Sequence, residues 1–147
     1  MEITFDRLKH SLGVAKKMKR IALSSPEKYS ATPDELFLLG MLHDIGYEFC
    51  EKQEEHNTVG ATLLKTEGYK YWQEVYYHGI PQTIYNTPEL CLLNFADMTV
   101  GPDGVEITIE ERLSDIAFRY GLESVQYTEA LKLSKLIDES FLLTSEL

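Results

Sequence analysis

Histidine and aspartate stand side by side at His43-Asp44, directly after the apolar run Leu36-Phe37-Leu38-Leu39-Gly40-Met41-Leu42 and directly before Ile45-Gly46. Imidazole nitrogen and carboxylate oxygen are both metal-ligand atoms, so this pair at the end of a core helix offers half of a metal site. Gly46 is expected to let the backbone turn away after that helix. The remaining ligands must come from elsewhere. The chain has four histidines, His10, His43, His56 and His78, and Asp97 sits in a second apolar segment, Leu90-Cys91-Leu92-Leu93-Asn94-Phe95-Ala96-Asp97-Met98. By itself His10 reads as a packed core histidine. Asp97 is harder to set aside, because a carboxylate buried unpaired among Leu92, Leu93, Phe95 and Met98 is costly. If it faces inward it needs a cation or donors; otherwise it points to solvent. A mixed histidine and aspartate set suits Mn, Fe, Co, Ni or Zn, and ligand type alone does not choose among them.

These residues have to be carried to one place by helices. From about Asp6 to Leu23, apolar side chains recur at Leu8, Leu12, Ala15, Met18 and Ala22 with Lys16, Lys17, Lys19 and Arg20 opposite, which predicts an amphipathic helix with His10 close to its buried stripe. Thr32-Pro33-Asp34-Glu35 supplies an N-cap, a proline at the first helical position and a glutamate three beyond the cap, and the helix it starts runs into His43. A polar loop from Glu51 to Glu55 precedes a short helix from Thr58 to Thr66, ended near Gly68. Another follows from Tyr69 to His78, ended by Gly79-Ile80-Pro81. Thr87-Pro88-Glu89 opens the helix that carries Asp97, and Gly101-Pro102-Asp103-Gly104 is a turn by composition. Thr108 to Glu111 repeats the capping box for a helix to Tyr120 with Gly121 at its C-cap, and a last helix spans roughly Val125 to Leu143. The expected fold is all-α, one compact domain over residues 1–147, without repeats, low-complexity tracts or a linker.

Taken in order, His10, His43-Asp44, His56, His78 and Asp97 resemble the signature of the HD-domain superfamily of metal-dependent phosphohydrolases. The wording of Arg7-Leu8-Lys9-His10-Ser11-Leu12-Gly13-Val14-Ala15 and of His56-Asn57-Thr58-Val59-Gly60-Ala61 is similar to the HDIG-type branch that includes symmetric dinucleoside-tetraphosphate hydrolases. The resemblance implies one divalent metal on His10, His43, Asp44 and Asp97, and a second on His56 and His78 with Asp44 bridging. In that arrangement Asp44, His56 and His78 carry the catalysis. It leaves open a single-metal enzyme in which His56 and His78 orient substrate phosphate. Arg7, one helical turn before His10, is a candidate phosphate contact, with a surface salt bridge as its bland alternative. Arg112 is either a second phosphate contact or an ion-pairing residue of its own helix. Tyr69, Tyr71, Trp72, Tyr76 and Tyr77 could stack a nucleobase, although aromatics at helical spacing usually belong to a core. Two departures from the dinucleoside-polyphosphate branch put its substrate in doubt: Gly79-Ile80-Pro81 follows His78, and Met98-Thr99-Val100-Gly101 follows Asp97. From Ala96-Asp97 to Arg119-Tyr120-Gly121 the chain is more similar to small HDIG-type proteins whose reaction is inferred.

Composition narrows the partners. At 147 residues with 44% apolar and 26% charged residues, the chain is large enough to bury a core without disulfides or structural zinc. Cys50 and Cys91 form no CxxC motif and are expected to be buried free thiols. A net charge of -10 disfavours broad binding of DNA or RNA but is compatible with a small phosphorylated substrate, expected to be a nucleotide, held by metals. The start of the chain, Met1 to Asp6, lacks the blocks of a signal peptide, and no apolar run approaches a membrane span, so the cytoplasm is the expected location. The expected activity is hydrolysis of a phosphate ester or anhydride. The rival is a metal- or nucleotide-binding regulatory module without turnover, and a homodimer is left open.

Overall fold

The computed structural model describes residues 4–145, with side chains described through residue 140, so Met1, Glu2 and Ile3 of the N-terminal reading lie outside the described residues. Eight α-helices follow one another in it: α1 (Phe5–Ser24), α2 (Pro33–Leu42), α3 (Gly46–Phe49), α4 (His56–Thr66), α5 (Trp72–Tyr77), α6 (Pro88–Met98), α7 (Ile109–Tyr120) and α8 (Val125–Ser145). Extended pairing among the described residues is limited to an isolated antiparallel bridge between Val100 and Glu106. The helix starts follow from their caps. Thr32 and Glu35 exchange hydrogen bonds across the first turn of α2, and Thr108 and Glu111 do the same for α7. Thr87 Oγ1 accepts from Leu90 N ahead of Pro88 at the start of α6.

The core is laid down by α1, α2, α5 and α6, which bury Val14, Met18, Leu36, Leu39, Val75, Leu92 and Leu93 together. A second cluster, Met98 with Ala130, Leu133 and Ile137, fixes α8 to α6, and Leu113 and Ile116 of α7 pack against it. The contact between α1 and α2 is a backbone approach: a Cβ on Gly40 would lie 2.5 Å from the Ala15 Cα. That approach corrects the expected stripe of α1. The buried positions are Ser11, Val14, Ala15, Lys17, Met18 and Ala22, while Leu8 and Leu12 are turned out and half exposed. Lys17, expected on the polar face, is buried and donates from Nζ to Thr99 Oγ1 at 2.7 Å.

Other expectations shift between residues 46 and 78. Gly46 does not end a helix in a left-handed turn; the chain continues at once into α3, and the glycine is required by space. A Cβ there would lie 2.7 Å from the His56 carbonyl carbon and 2.9 Å from Gly60 N. The polar loop before α4 contains a 3-10 turn, Gln53–Glu55, so α4 begins at His56 rather than Thr58. The helix expected from Tyr69 begins only at Trp72. Gly68, at φ +79°, ends α4, and the Tyr69 N–H is spent on the Leu64 carbonyl. Of the five neighbouring aromatics, Tyr69, Tyr71 and Trp72 join the core and Tyr77 stacks on Tyr85, leaving Tyr76 to line the cavity described below. Cys50 is buried as expected, whereas Cys91 is only partly buried; both are free thiols. No described helix is long and apolar enough to cross a membrane.

Candidate metal centre

The four histidines come from four elements yet meet with the same edge inward. His43 and His78 are the residues that close α2 and α5, where helix carbonyls lack intrahelical partners. Their Nδ1 atoms bond those carbonyls: His43 to Gly40 O at 2.6 Å and His78 to Val75 O at 2.5 Å. His56, opening α4, bonds Gln53 O at 2.8 Å in the same three-residue pattern, and His10 reaches Gly101 O at 3.2 Å. A carbonyl oxygen only accepts, so each Nδ1 is assigned the proton, and the lone pair of each neutral ring lies on Nε2.

Every Nε2 then faces a carboxylate. His10 Nε2 lies 2.8 Å and His43 Nε2 3.4 Å from Asp97 Oδ1. Asp44 divides its two oxygens: Oδ2 is 3.2 Å from His43 Nε2, whereas Oδ1 is 3.3 Å from His78 Nε2 and 3.6 Å from His56 Nε2. His43 is fully buried, and its Nε2 has no partner in hydrogen-bond geometry. Lone pairs held this close to anionic oxygens repel unless a cation lies between them, and the cation is either a proton on each ring or a metal ion. The donor set therefore fits a divalent metal. Three groupings of ligand atoms are close enough to share one: His10, His43 and Asp44; His43, His78 and Asp97; and Asp44, His56 and His78. All six residues expected from the sequence are brought together.

The electrostatics of these side chains agree. Complete burial pushes His43 toward lower pKa, but Asp44 and Asp97 outweigh it and hold the ring well above the usual histidine range. Burial likewise opposes ionisation of Asp44 and Asp97. His43 and His78 nevertheless depress Asp44 far below the usual carboxylate range, and His10 and His43 do so for Asp97. His56 moves the other way, lowered by burial and by its neighbour His78. A proton on the buried His43 ring, between Asp44 and Asp97, thus stands where a metal would.

Above the cluster opens a cavity of about 740 Å³ reached by His10, Asp44, His56, His78 and Asp97 and walled by Arg7, Tyr47, Tyr76, Ile80, Met98 and Ile116 among others. The sequence model of the HD domain matches residues 7–120, the stretch that holds every one of these side chains. The chain belongs to the HD-domain family. No match was found among the curated proteins or among the solved structures. Membership places the cluster in a family of metal-dependent phosphohydrolases and agrees with the all-helical fold; α8 lies outside the matched stretch.

The two arginines considered as phosphate contacts in this HD domain, Arg7 and Arg112, differ in their surroundings. The Arg7 guanidinium carbon lies 3.5 Å from the centroid of the Tyr47 ring, and the ring stacks on His56 at 4.1 Å, so cation, phenol and imidazole form one wall of the cavity. Arg112 also lines the cavity, but it is engaged by main-chain carbonyls rather than by a neighbouring carboxylate. Nη2 donates to Asp97 O at 3.0 Å and to Val100 O, and Nε donates to Met98 O at 3.3 Å, which leaves Nη1 for any phosphate contact. Its guanidinium closes the C-terminal end of α6 beside Asp97. Sequence reasoning missed Tyr47, Asn57 and Asn94. Asn57 is buried next to His56 and donates to the carbonyls of Tyr76 and His78, and Asn94 accepts from Gly79 N, so α4 and α6 grip both sides of His78. A buried asparagine following a candidate ligand is a signal that could have been used.

Proposed function

We propose that this HD domain hydrolyses a phosphate ester or anhydride of a small substrate, a nucleotide in class, at a centre of two divalent metal ions. The observation that carries the proposal is the division of Asp44, whose Oδ2 faces His43 and whose Oδ1 faces His56 and His78. His10, His43, Asp44 and Asp97 would hold one ion, and His56, His78 and the other oxygen of Asp44 the second. Two such ions supply Lewis acidity and an activated water for in-line attack on phosphorus. No nucleophilic side chain is then required. The residues of the chain do the rest: the Nδ1 bonds fix each ring, Arg7 would meet a phosphate oxygen from the wall above His56, and Arg112 holds the helix end that presents Asp97, with Nη1 left for the same use. Tyr76, Ile80, Met98 and Ile116 offer the organic part of the substrate an apolar surface and keep water from it.

The net charge of -10 supports a compact phosphate over a nucleic acid polymer, because metal ions neutralise a short phosphate locally while the surface repels a long polyanion. The test is a side-by-side assay of mononucleotides, dinucleoside polyphosphates, cyclic nucleotides, and single-stranded and duplex nucleic acid, each with Mn, Fe, Co, Ni or Zn. Metal-dependent release of phosphate or of a nucleotide fragment from a small nucleotide is expected. Polymer cleavage without small-nucleotide turnover would reject the substrate class, and a metal-loaded protein that turns over nothing would make the chain a regulatory module.

A further inference from the structure

Three of the four cluster histidines are oriented by their own helical neighbourhood, through carbonyls three residues earlier at Gly40, Gln53 and Val75. His10 is the exception. Its Nδ1 is bonded to Gly101 O, 91 positions away in the loop that leaves α6. The orientation of this ring therefore depends on where that loop sits against α1.

The loop is fastened by packing and by charge. Gly104, at φ +83°, lies so close to α1 that a Cβ would come within 2.6 Å of Lys9 O, and a Cβ on Gly13 would meet Gly104 O at the same distance. Gly101 N donates to Val105 O at 2.8 Å and Ile107 N to Thr99 O at 3.0 Å, which makes residues 99–107 a closed turn. Glu106 at its far side is the only carboxylate among the described residues with ion pairs to two bases of α1. Arg20 donates from both Nη1 and Nη2, at 2.9 and 2.7 Å, and Lys17 Nζ lies 3.0 Å from Oε1. Lys17 is buried and also bonded to Thr99 Oγ1, so one ammonium ties the start of the turn to its end.

We infer that Glu106 is a positioning residue of the metal centre: clamped by Lys17 and Arg20, it holds the 99–107 turn so that Gly101 O fixes the ring of His10 with Nε2 toward Asp97. Outer partners of metal-ligating histidines set ring orientation, and their loss costs about 10- to 100-fold in metal affinity. Glu106 acts one step further out, so the lower end of that range applies. The affinity part of this inference rests on the metal reading above; the orientation part does not.

The experiment uses the full chain with Glu106→Gln, and with Asp34→Asn as control because Asp34 pairs with Lys19 of α1 from α2 rather than from the turn. The first measurement is proton exchange at the imidazole Nδ1–H groups by NMR in metal-free protein. Exchange at His10 is expected to accelerate at least tenfold in Glu106→Gln and to stay at the wild-type rate at His43 and His78, whose acceptors are local. The second is Zn affinity by chelator competition in a His78→Ala background, where a loss of about tenfold is expected for Glu106→Gln and none for Asp34→Asn. Unchanged exchange at His10, or equal acceleration at all three histidines, would overturn the inference, the latter because it marks general loosening. Selective acceleration at His10 with unchanged Zn affinity would uphold the clamp and count against His10 as a ligand, which separates failure of the metal reading from failure of the clamp.

Discussion

Gly46→Ala sets two effects of opposite sign against each other. In a helix, alanine is favoured over glycine by about 1 kcal/mol. Against that, the new Cβ would clash with the His56 carbonyl oxygen and sit 2.7 Å from its carbon, whereas carbon atoms settle at about 3.5 Å, so α4 must withdraw from α3 by at least about 1 Å. The obstacle is backbone, with no flexible side-chain tip to swing aside, which puts the cost at or above the upper end of the usual ~1–3 kcal/mol for overpacking. Overpacking wins, and a net loss of about 2 kcal/mol lowers the Tm of the metal-free protein by about 4–8 °C. The displaced residue is His56 itself, whose Nε2 is already the farthest of the four from its carboxylate, at 3.6 Å from Asp44 Oδ1. The ion assigned to His56, His78 and Asp44 should therefore be lost before the ion assigned to His10, His43, Asp44 and Asp97. Calorimetric metal titration together with a thermal melt of the metal-free variant reads both effects. A raised Tm, or two ions bound with wild-type affinity, would show that the contact between α3 and α4 does not govern the site.

Asp44→Ala should abolish binding of both ions and all turnover, whereas His78→Ala should spare one ion in elemental analysis; equal losses would show that the two halves of the cluster are not separate sites. Arg7→Gln removes a charge-assisted phosphate contact and should raise KM about tenfold with a smaller change in kcat, and an unchanged KM would assign Arg7 to the support of Tyr47 alone. Asn57→Leu leaves the carbonyls of Tyr76 and His78 without their donor, at about 1–3 kcal/mol for each buried group, and a thermal melt showing no loss would place water there instead. The pairing of Glu106 with Arg20 and Lys17 lowers its pKa to about 2 from an ordinary 4.5. A depressed acid stabilises the fold above its unfolded pKa and loses that contribution as pH falls through the folded value. The stability gap between wild type and Glu106→Gln should thus be full above about pH 4.5 and close toward pH 2, and a gap that persisted at pH 2 would mean the ion pairs do not carry it.

What could be read in the sequence was whatever depended on local chemistry. Caps at Thr32, Thr87 and Thr108 announce their helices because a hydroxyl and the turn it caps are three residues apart, and all three helices begin there. The six ligand candidates were legible because few residue types carry metal-binding atoms and their order was complete. What escaped was set by contacts between distant segments. Leu8 and Leu12 fit the apolar period of α1 but lie off the face that Gly40 draws against Ala15, so periodicity gave the helix and the buried Ala15, Met18 and Ala22 but missed Ser11, Val14 and Lys17. Gly46 looked like a helix stop because a glycine needed for space is indistinguishable in sequence from one needed for a left-handed turn; φ separates them. Arg112 spends its donors on carbonyls at the end of α6, a role no carboxylate spacing along α7 could reveal.

The same division runs through the site. His43, His56 and His78 receive their orientation from carbonyls three residues back, so once their segments are helical the rings have little freedom left, and the hydrogen bond that aims each one is formed with the local structure. Asp97 and His10 are different: the one is presented by a helix end held by Arg112 from α7, the other is aimed by a turn held by Lys17 and Arg20 from α1. The aim of His10 and the presentation of Asp97 therefore depend on contacts between distant segments, whereas the rings of His56 and His78 are aimed by carbonyls of their own segments. Since Asp44 faces both halves, loss of the 99–107 turn should loosen one ion while Asp44, His56 and His78 keep their geometry, and a perturbation at Gly46 should do the reverse. Two substitutions at opposite ends of the cluster with opposite selectivity would be hard to obtain from a general loss of stability, which lowers both affinities together.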